Sequence, residues 1–496
     1  MLRLDHNSTP LFDALKRYMA DKTISFHVPG HKQGVGCPDF TDFVGKNVMT
    51  IDVTVHEEVD GITNPRGVIK AAEELAADAF GVQAAHFLVN GTTSGIQAMI
   101  MSVCRPGDKI ILPRNAHRSV QGALTLSGAI PIYIQPEVHD FLGFAMGITP
   151  ESVEEALRAH RDAKAVFVIN PTYYGVAGDL KAIIEIAHSY GVAVLADEAH
   201  GAHFRFHPDL PLSAASAGAD MAAISTHKLL GSLTQSSMLL VNSNLVTSSH
   251  VKQVLNLTQT TSPSYLLLAS LDVARQQAVL RGRELLERTI QLCNWARAEL
   301  NQIPGVYVPG EDLHGLAGCF QYDPTKLVIN LRGVGISGFA AERFLRDEHR
   351  IQVELSDLYN VLAVGSIGDT QENMERLVDA VKQMVKAHGR PEAMPHYTCM
   401  PSKVPETVIL PRDAFHIDSY PVPLEDAVGL ISAENVMAYP PGMPLVCIGE
   451  RITQEVVDCI KLLQRERGHL QGTEDCRVNT IRVLRACEAV RRVANN

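Results

Sequence analysis

Val192-Ala193-Val194-Leu195-Ala196-Asp197-Glu198-Ala199-His200-Gly201 is a short apolar run that ends in acids, and Met221-Ala222-Ala223-Ile224-Ser225-Thr226-His227-Lys228 is a second run that ends in a lysine. Neither alternates apolar with polar residues, which is the pattern of strands buried on both faces. Working outward, Phe87-Leu88-Val89, Lys109 to Leu112, Ile130 to Ile134 and Ala165 to Ile169 also read as strands. Between them run helical spacings such as Leu180 to Tyr190, which Gly191 is placed to end. Strand-helix alternation from about residue 65 to 245 predicts right-handed crossovers and a mostly parallel sheet of the α/β class. Ligands of such sheets bind beyond the carboxyl ends of the strands. Asn90, Asn115, Asn170, Asp197 and Ser225 lie at such positions, so a site is expected there.

An acid and a lysine at neighbouring strand ends suit one small aromatic cofactor, pyridoxal phosphate. A lysine amine condenses with its aldehyde, and a carboxylate holds its ring nitrogen protonated. Asp197 alone would read as a surface acid, and Lys228 alone as a solvated lysine. Following a buried strand, however, Lys228 is expected in surroundings that favour a nucleophilic amine. Gly91-Thr92-Thr93-Ser94-Gly95 opens a helix with free N–H groups and hydroxyls, which suits a phosphate. Its plainer reading is an ordinary helix cap. Ser225 and His227 flank the lysine within reach of phosphate oxygens.

His117, in Pro113-Arg114-Asn115-Ala116-His117-Arg118-Ser119, could stack on a pyridine face or be an ordinary loop histidine. His200, His203 and His207 lack the H-E-x-x-H spacing and have no partner cysteines nearby, so no metal is expected. His27-Val28-Pro29-Gly30-His31-Lys32 reads either as a functional segment or as a mobile arm. Thr258-Gln259-Thr260-Thr261-Ser262-Pro263-Ser264-Tyr265 is a hydroxyl-rich lead into a long helix.

The chain has 496 residues, 46% of them hydrophobic and 20% charged, enough to bury a large core without staples. A net charge of −11 argues against a broad nucleic-acid surface. Nine scattered cysteines with no CxxC read as reduced thiols of a cytoplasmic protein. The N-terminus lacks the apolar core of a secretory signal, and no apolar stretch approaches the ~20 residues of a membrane helix. Expected divisions are an N-terminal arm over 1–64, a cofactor-binding domain over 65–300 and a smaller α/β domain over 301–390. A proline-rich linker over 391–412 and a C-terminal domain over 413–496 follow.

Ser225-Thr226-His227-Lys228, Asp197-Glu198-Ala199-His200, His27-Val28-Pro29-Gly30-His31-Lys32 and Tyr439-Pro440-Pro441-Gly442 together resemble the ornithine/lysine/arginine decarboxylases of the aspartate-aminotransferase fold. The resemblance spans nearly the whole chain and is nearest the short bacterial arginine decarboxylase (SpeA-like) form, without the N-terminal wing of the large enzymes. It implies that Lys228 binds the cofactor, Asp197 pairs with the pyridine nitrogen and His117 stacks on the ring. Thr92, Thr93, Ser94, Ser225 and His227 would surround the phosphate. His200 would lie beside the cofactor, in place of an aromatic residue of larger relatives. Thr261 would reach the phosphate of a partner subunit, and a homodimer or higher homo-oligomer is implied. Two departures are visible. The phosphate loop has one hydroxyl more than the Gly-Thr-Ser-Gly of closer relatives, and Cys447-Ile448-Gly449-Glu450 stands where relatives often have Pro-Gly-Glu.

The expected reaction is therefore decarboxylation of a basic amino acid in polyamine metabolism. Arginine, giving agmatine, is favoured; lysine, giving cadaverine, is next; ornithine stays open. Lys228, His227 and Asp197 would carry the chemistry, with His227 or Lys228 returning a proton to Cα. Asp52, Glu354 and Asp357 are candidates for the substrate's distal cation, or ordinary surface acids. One rival is an aminotransferase of the same fold, gripping the substrate carboxylate through Arg332. The other is a non-catalytic regulatory protein on this fold.

Overall fold

The computed structural model describes residues 4–390, 392–397, 401–439 and 443–485. Eight strands fall in the first half: β1 Ala84–Leu88, β2 Lys109–Pro113, β3 Ile130–Ile134, β4 Ala165–Ile169, β5 Val176–Ala177, β6 Ala193–Asp197, β7 Met221–Ile224 and β8 Ser237–Val241. All but β5 form a seven-stranded sheet in the order β1-β8-β7-β6-β4-β2-β3. β2 runs parallel to β3 and β4, and β6 parallel to β7. β8 is antiparallel to both β1 and β7. Every residue of β6, β7 and β8 is buried, as expected of strands with covered faces.

The expected elements are present with small shifts. The acid-ending strand is one residue later than the apolar run suggests and takes in Asp197 itself. The helix after Asp179 covers Leu180–Ser189, capped by Asp179 Oδ1 accepting from Ala182 N at 3.1 Å. Gly191 follows at φ +71°, a left-handed step that ends the helix. The long helix runs Tyr265–Asn301. β8 has no counterpart in the sequence reading, although Ser237-Met238-Leu239-Leu240-Val241 is as apolar a run as the others.

Two compact units emerge, interleaved along the chain. One holds the described residues up to Ser102, Leu195–Arg288 and Ser366–Gly368; the other holds Val103–Val194, Thr289–Gly365 and the described residues from Asp369. In the second unit, β9 (Gln321–Tyr322) pairs with β5, and β10 (Lys326–Asn330), β11 (Leu355–Ser356) and β12 (Asn360–Val364) form a sheet in the order β10-β12-β11. Leu327, Ile329 and Val361 of that sheet pack with Leu377 and Val381 of the helix Gln371–His388 and with Cys293 and Leu300. These elements make a smaller α/β body within the second unit.

Residues 392–397 and 401–410 of the proline-rich stretch contain no helix or strand, and the helix Pro411–Phe415 ends it. Beyond it, β13 (Ser419–Pro423), β14 (Val436–Tyr439), β15 (Met443–Val446), β16 (His469–Gln471) and β17 (Thr480–Leu484) make the sheets β13-β17 and β15-β14-β16. Val446, Ile452, Val456, Ile460 and Val483 form the core they share with the helix Gln454–Arg465. Pro440, Pro441 and Gly442 of the C-terminal motif lie outside the described residues, as do Pro391, Cys399 and Cys487. Among the described residues, the other seven cysteines form no disulfide. Among the described residues, no helix is long and apolar enough to cross a membrane.

Candidate active site

The first unit brings most of the expected site residues together. Gly91-Thr92-Thr93-Ser94-Gly95 is the first turn of the helix Gly91–Val103, directly after β1. Gly95 lets this helix lie close to the sheet. An added Cβ would come within 2.8 Å of Leu88 Cδ1 and 3.3 Å of Ala223 Cβ. The turn's N–H groups therefore sit at the carboxyl edge of the sheet, where a helix start attracts an anion. Thr92 Oγ1 lies 2.5 Å from Ser225 Oγ and 2.9 Å from Ser237 Oγ, all three buried. Ser94 Oγ is turned inward, donating to Gly91 O at 2.9 Å, and Thr93 is exposed.

Sequence reasoning missed Ser237. Its position follows from the antiparallel strand, because Leu88 pairs with Ser237 and Ile224 with Met238. The start of β8 thus lies level with the carboxyl ends of β1 and β7. A search limited to residues after parallel strands overlooks the residue that begins an antiparallel one.

Asp197 ends β6 and pairs in register with Ala223 of β7, the strand that leads into the short helix Thr226–Leu229 carrying Lys228. Its side chain is buried, and Oδ1 accepts from Ala199 N at 3.1 Å. Burial pushes the carboxyl above its ordinary range, while the Ala199 N–H and the Lys228 charge pull it back. Lys228 Nζ lies 2.8 Å from Nε2 of the buried His200. His227 Nδ1 is 2.7 Å from Ser236 O. A carbonyl only accepts, so Nδ1 carries a proton.

The donor set fits pyridoxal phosphate. A desolvated carboxylate is made to face a cationic ring nitrogen, a lysine amine stands one strand away, and three clustered hydroxyls join a helix start. The hydroxyl-rich stretch is tied to the same place. Thr260 N donates to Asn90 Oδ1 at 3.3 Å, and Val89 N donates to Gln259 Oε1 at 3.3 Å. Thr261 itself is exposed.

The other expected residues have these surroundings. His117 belongs to the second unit, where it caps the helix Arg118–Ser127 through Nδ1, which accepts from Ser119 N at 3.3 Å. Asp52 lies in the N-terminal segment, 3.2 Å from His31 Nε2. Glu354 is exposed on a groove of the small α/β body that Arg350, Asp369 and Arg376 also line. Asp357 is committed to its own fold: Oδ1 accepts from Tyr359 N and Asn360 N, both at 2.8 Å, and Oδ2 from Tyr174 Oη at 2.7 Å. Arg332 donates to Met394 O and Asp140 O at 3.2 and 3.3 Å and lies over the Tyr359 ring, so the aminotransferase rival finds its guanidinium engaged. His207, Asp209 and Glu287 draw together, but His207 is spent on Asp209 N and Glu287 at 3.3 and 3.0 Å.

A mostly parallel α/β sheet with an acid and a lysine on adjoining strand ends defines the class of fold on which pyridoxal-phosphate enzymes are built. Family comparison narrows it. Residues 9–373 match the major domain of Orn/Lys/Arg decarboxylase, and residues 395–475 match its C-terminal domain. The chain belongs to the Orn/Lys/Arg decarboxylase family. It is 46% identical to the arginine decarboxylase of Bacillus subtilis, over 98% of this chain and 100% of that one. It is 47% identical to the arginine decarboxylase of Halalkalibacterium halodurans, over 97% and 99%. The constitutive lysine decarboxylase of Escherichia coli is 26% identical over 95% of this chain and 79% of its own. The fold of the Francisella novicida lysine decarboxylase matches with a TM-score of 0.84 at 23% identity, over 96% of this chain and 81% of that one.

Proposed function

We propose that this chain removes the α-carboxylate of arginine, releasing carbon dioxide and agmatine, with pyridoxal phosphate as cofactor. The observation that carries the reading is the buried Asp197 carboxylate at the end of β6, set electrostatically against Lys228 beyond the adjoining β7. Arginine is preferred because arginine decarboxylases share 45–47% of residues with the chain, against 25–26% for lysine decarboxylases. The product places the enzyme in polyamine biosynthesis.

When bound, the cofactor supplies an aldehyde for the substrate amine and a ring that accepts the electron pair left by carbon dioxide. Lys228 is the amine that holds it. Asp197 keeps its ring nitrogen protonated. Thr92, Ser225 and Ser237, with the start of the helix Gly91–Val103, hold its phosphate. One proton is taken up at Cα for each carbon dioxide lost, from His227 or Lys228. His200 holds Nζ of Lys228 in place. Asp52 and Glu354 are the carboxylates left to meet a guanidinium, since Asp357 is occupied within the fold.

A second copy of the chain would complete the assembly. Phe26 and Phe43 are 93% and 89% exposed, and Ile24 and Val35 of the same N-terminal segment are also in solvent. An apolar surface of this kind marks an interface. Thr261, exposed next to the cradle, is the residue we assign to the partner's phosphate.

The test is product analysis with arginine, lysine and ornithine side by side. Carbon dioxide and agmatine formed without a keto acid, with the highest kcat/KM for arginine, is the expected result. Amino transfer to a keto acid, or no cofactor in the purified protein, would overturn the proposal.

A further inference from the structure

Gln235 grips the backbone that leads into the hydroxyl cradle. Its side-chain Nε2 donates to Val89 O at 2.6 Å, and its own carbonyl accepts from Gly91 N at 3.0 Å. It does this at φ +83°, a left-handed conformation that disfavours any residue with a Cβ and persists only where surrounding contacts hold it. From the other side, Gln259 and Thr260 bond Val89 N and the Asn90 side chain. The two residues after Gln235 are equally engaged. Ser236 O takes the bond from His227 Nδ1 at 2.7 Å, and Ser237 Oγ lies 2.9 Å from Thr92 Oγ1. Three successive residues thus touch the entry to the cradle, the turn bearing Lys228 and the cradle hydroxyls.

We propose that Gln235 is a positioning residue for the phosphate of pyridoxal phosphate. It fixes the Val89–Gly91 backbone so that the first-turn N–H groups and the Thr92 hydroxyl converge on one anion. The inference rests on the cofactor reading above. Gln235 is exposed and fills no core, so its replacement leaves the packing of the sheet intact. Gln235→Gly keeps the carbonyl that accepts from Gly91, suits the positive φ and removes the amide. Gln235→Glu keeps the size of the side chain but sets an acceptor against the Val89 carbonyl.

The experiment titrates the apo forms of wild type, Q235G and Q235E with pyridoxal phosphate, followed by the absorbance of bound cofactor. Inorganic phosphate is the competitor, and the thermal midpoint of each apo form is recorded. Both variants are expected to bind the cofactor about tenfold more weakly, the loss of one hydrogen bond, and to need more inorganic phosphate for competition. Their apo midpoints stay within about 2 °C of wild type. Wild-type affinity in either variant overturns the role, and so does a fall in apo midpoint that accounts for the weaker binding. If wild type itself takes up no cofactor, the cofactor reading fails instead, and the two failures are told apart.

Discussion

Arg114 and Glu450, from opposite ends of the second unit's sequence, meet in a buried bidentate pair with bonds of 2.5 and 2.8 Å. Their side chains are 4% and 1% exposed. Glu450 Oε2 also accepts from Cys447 N at 2.7 Å, and the guanidinium lies 4.9 Å over the Tyr133 ring. A residue just past β2 is thereby locked to the C-terminal body. The departure seen in this loop has a physical counterpart. Ile448 N donates to Asn435 Oδ1 at 3.0 Å, a bond that a proline at that position could not make.

Removing one partner leaves the other charge buried without compensation. Glu450→Ala is expected to destabilise the protein by about 3–5 kcal/mol, and the double variant Arg114→Leu/Glu450→Leu to recover most of that. Thermal midpoints of the two, measured against wild type, decide it. An unchanged midpoint for the single variant would show that the pair contributes nothing.

Asp197→Asn separates stability from function. Burial raises the Asp197 carboxyl above its ordinary 3.8, so the folded chain holds that proton more tightly than the unfolded one. The stability linked to that proton is present below pH 3.8 and is lost as pH rises through the folded value. At neutral pH the apo variant, which carries no charge there, is expected to be at least as stable as wild type. Its kcat is expected to fall by at least about tenfold, because the ring nitrogen loses its counter-charge. Apo melting and steady-state rates at one pH test both halves. A less stable apo variant with normal turnover contradicts the assignment.

The strands and the acid-lysine pair were legible because burial on both faces leaves an apolar run and the site sits where such runs stop. Val192 to Asp197 and Met221 to Lys228 show both features within ten residues each. Ser237 and Gln235 were not legible, because their roles depend on β8 running antiparallel, and strand direction leaves no mark on a five-residue apolar run. Asp357 looked available as a substrate partner because sequence shows the carboxylate but not Tyr174 and Asn360, which bind it from a distance and from the adjoining turn.

Thr92→Val probes the cradle with little change of shape. The hydroxyl it removes links Ser225 Oγ at 2.5 Å and Ser237 Oγ at 2.9 Å, leaving two buried hydroxyls short of a partner. An unsatisfied buried group costs roughly 1–3 kcal/mol, so cofactor affinity is expected to fall about tenfold or more. Equilibrium titration of the apo variant with pyridoxal phosphate measures this. Unchanged affinity would remove Thr92 from the phosphate site.

Glu73 gives a pH dependence unrelated to catalysis. It is buried beneath β1, with Oε1 accepting from Phe87 N at 2.9 Å, and desolvation raises its carboxyl to about 7 from 4.5. Lys252 and Lys70 oppose that rise, Asp60 adds to it, and buried His86 beside Lys252 is held neutral with its pKa lowered to about 3. A raised folded value means that the stability Glu73 contributes is complete below pH 4.5 and is lost as pH climbs through about 7. His86 acts in the opposite sense, since its contribution is complete above 6.5 and lost towards acid. Glu73→Gln keeps the oxygen that accepts from Phe87 and abolishes only the titration. The difference in thermal midpoint, variant minus wild type, is therefore expected to rise steadily from pH 5 to pH 8. A flat difference across that range would mean that Glu73 ionises in the folded chain as readily as in the unfolded one.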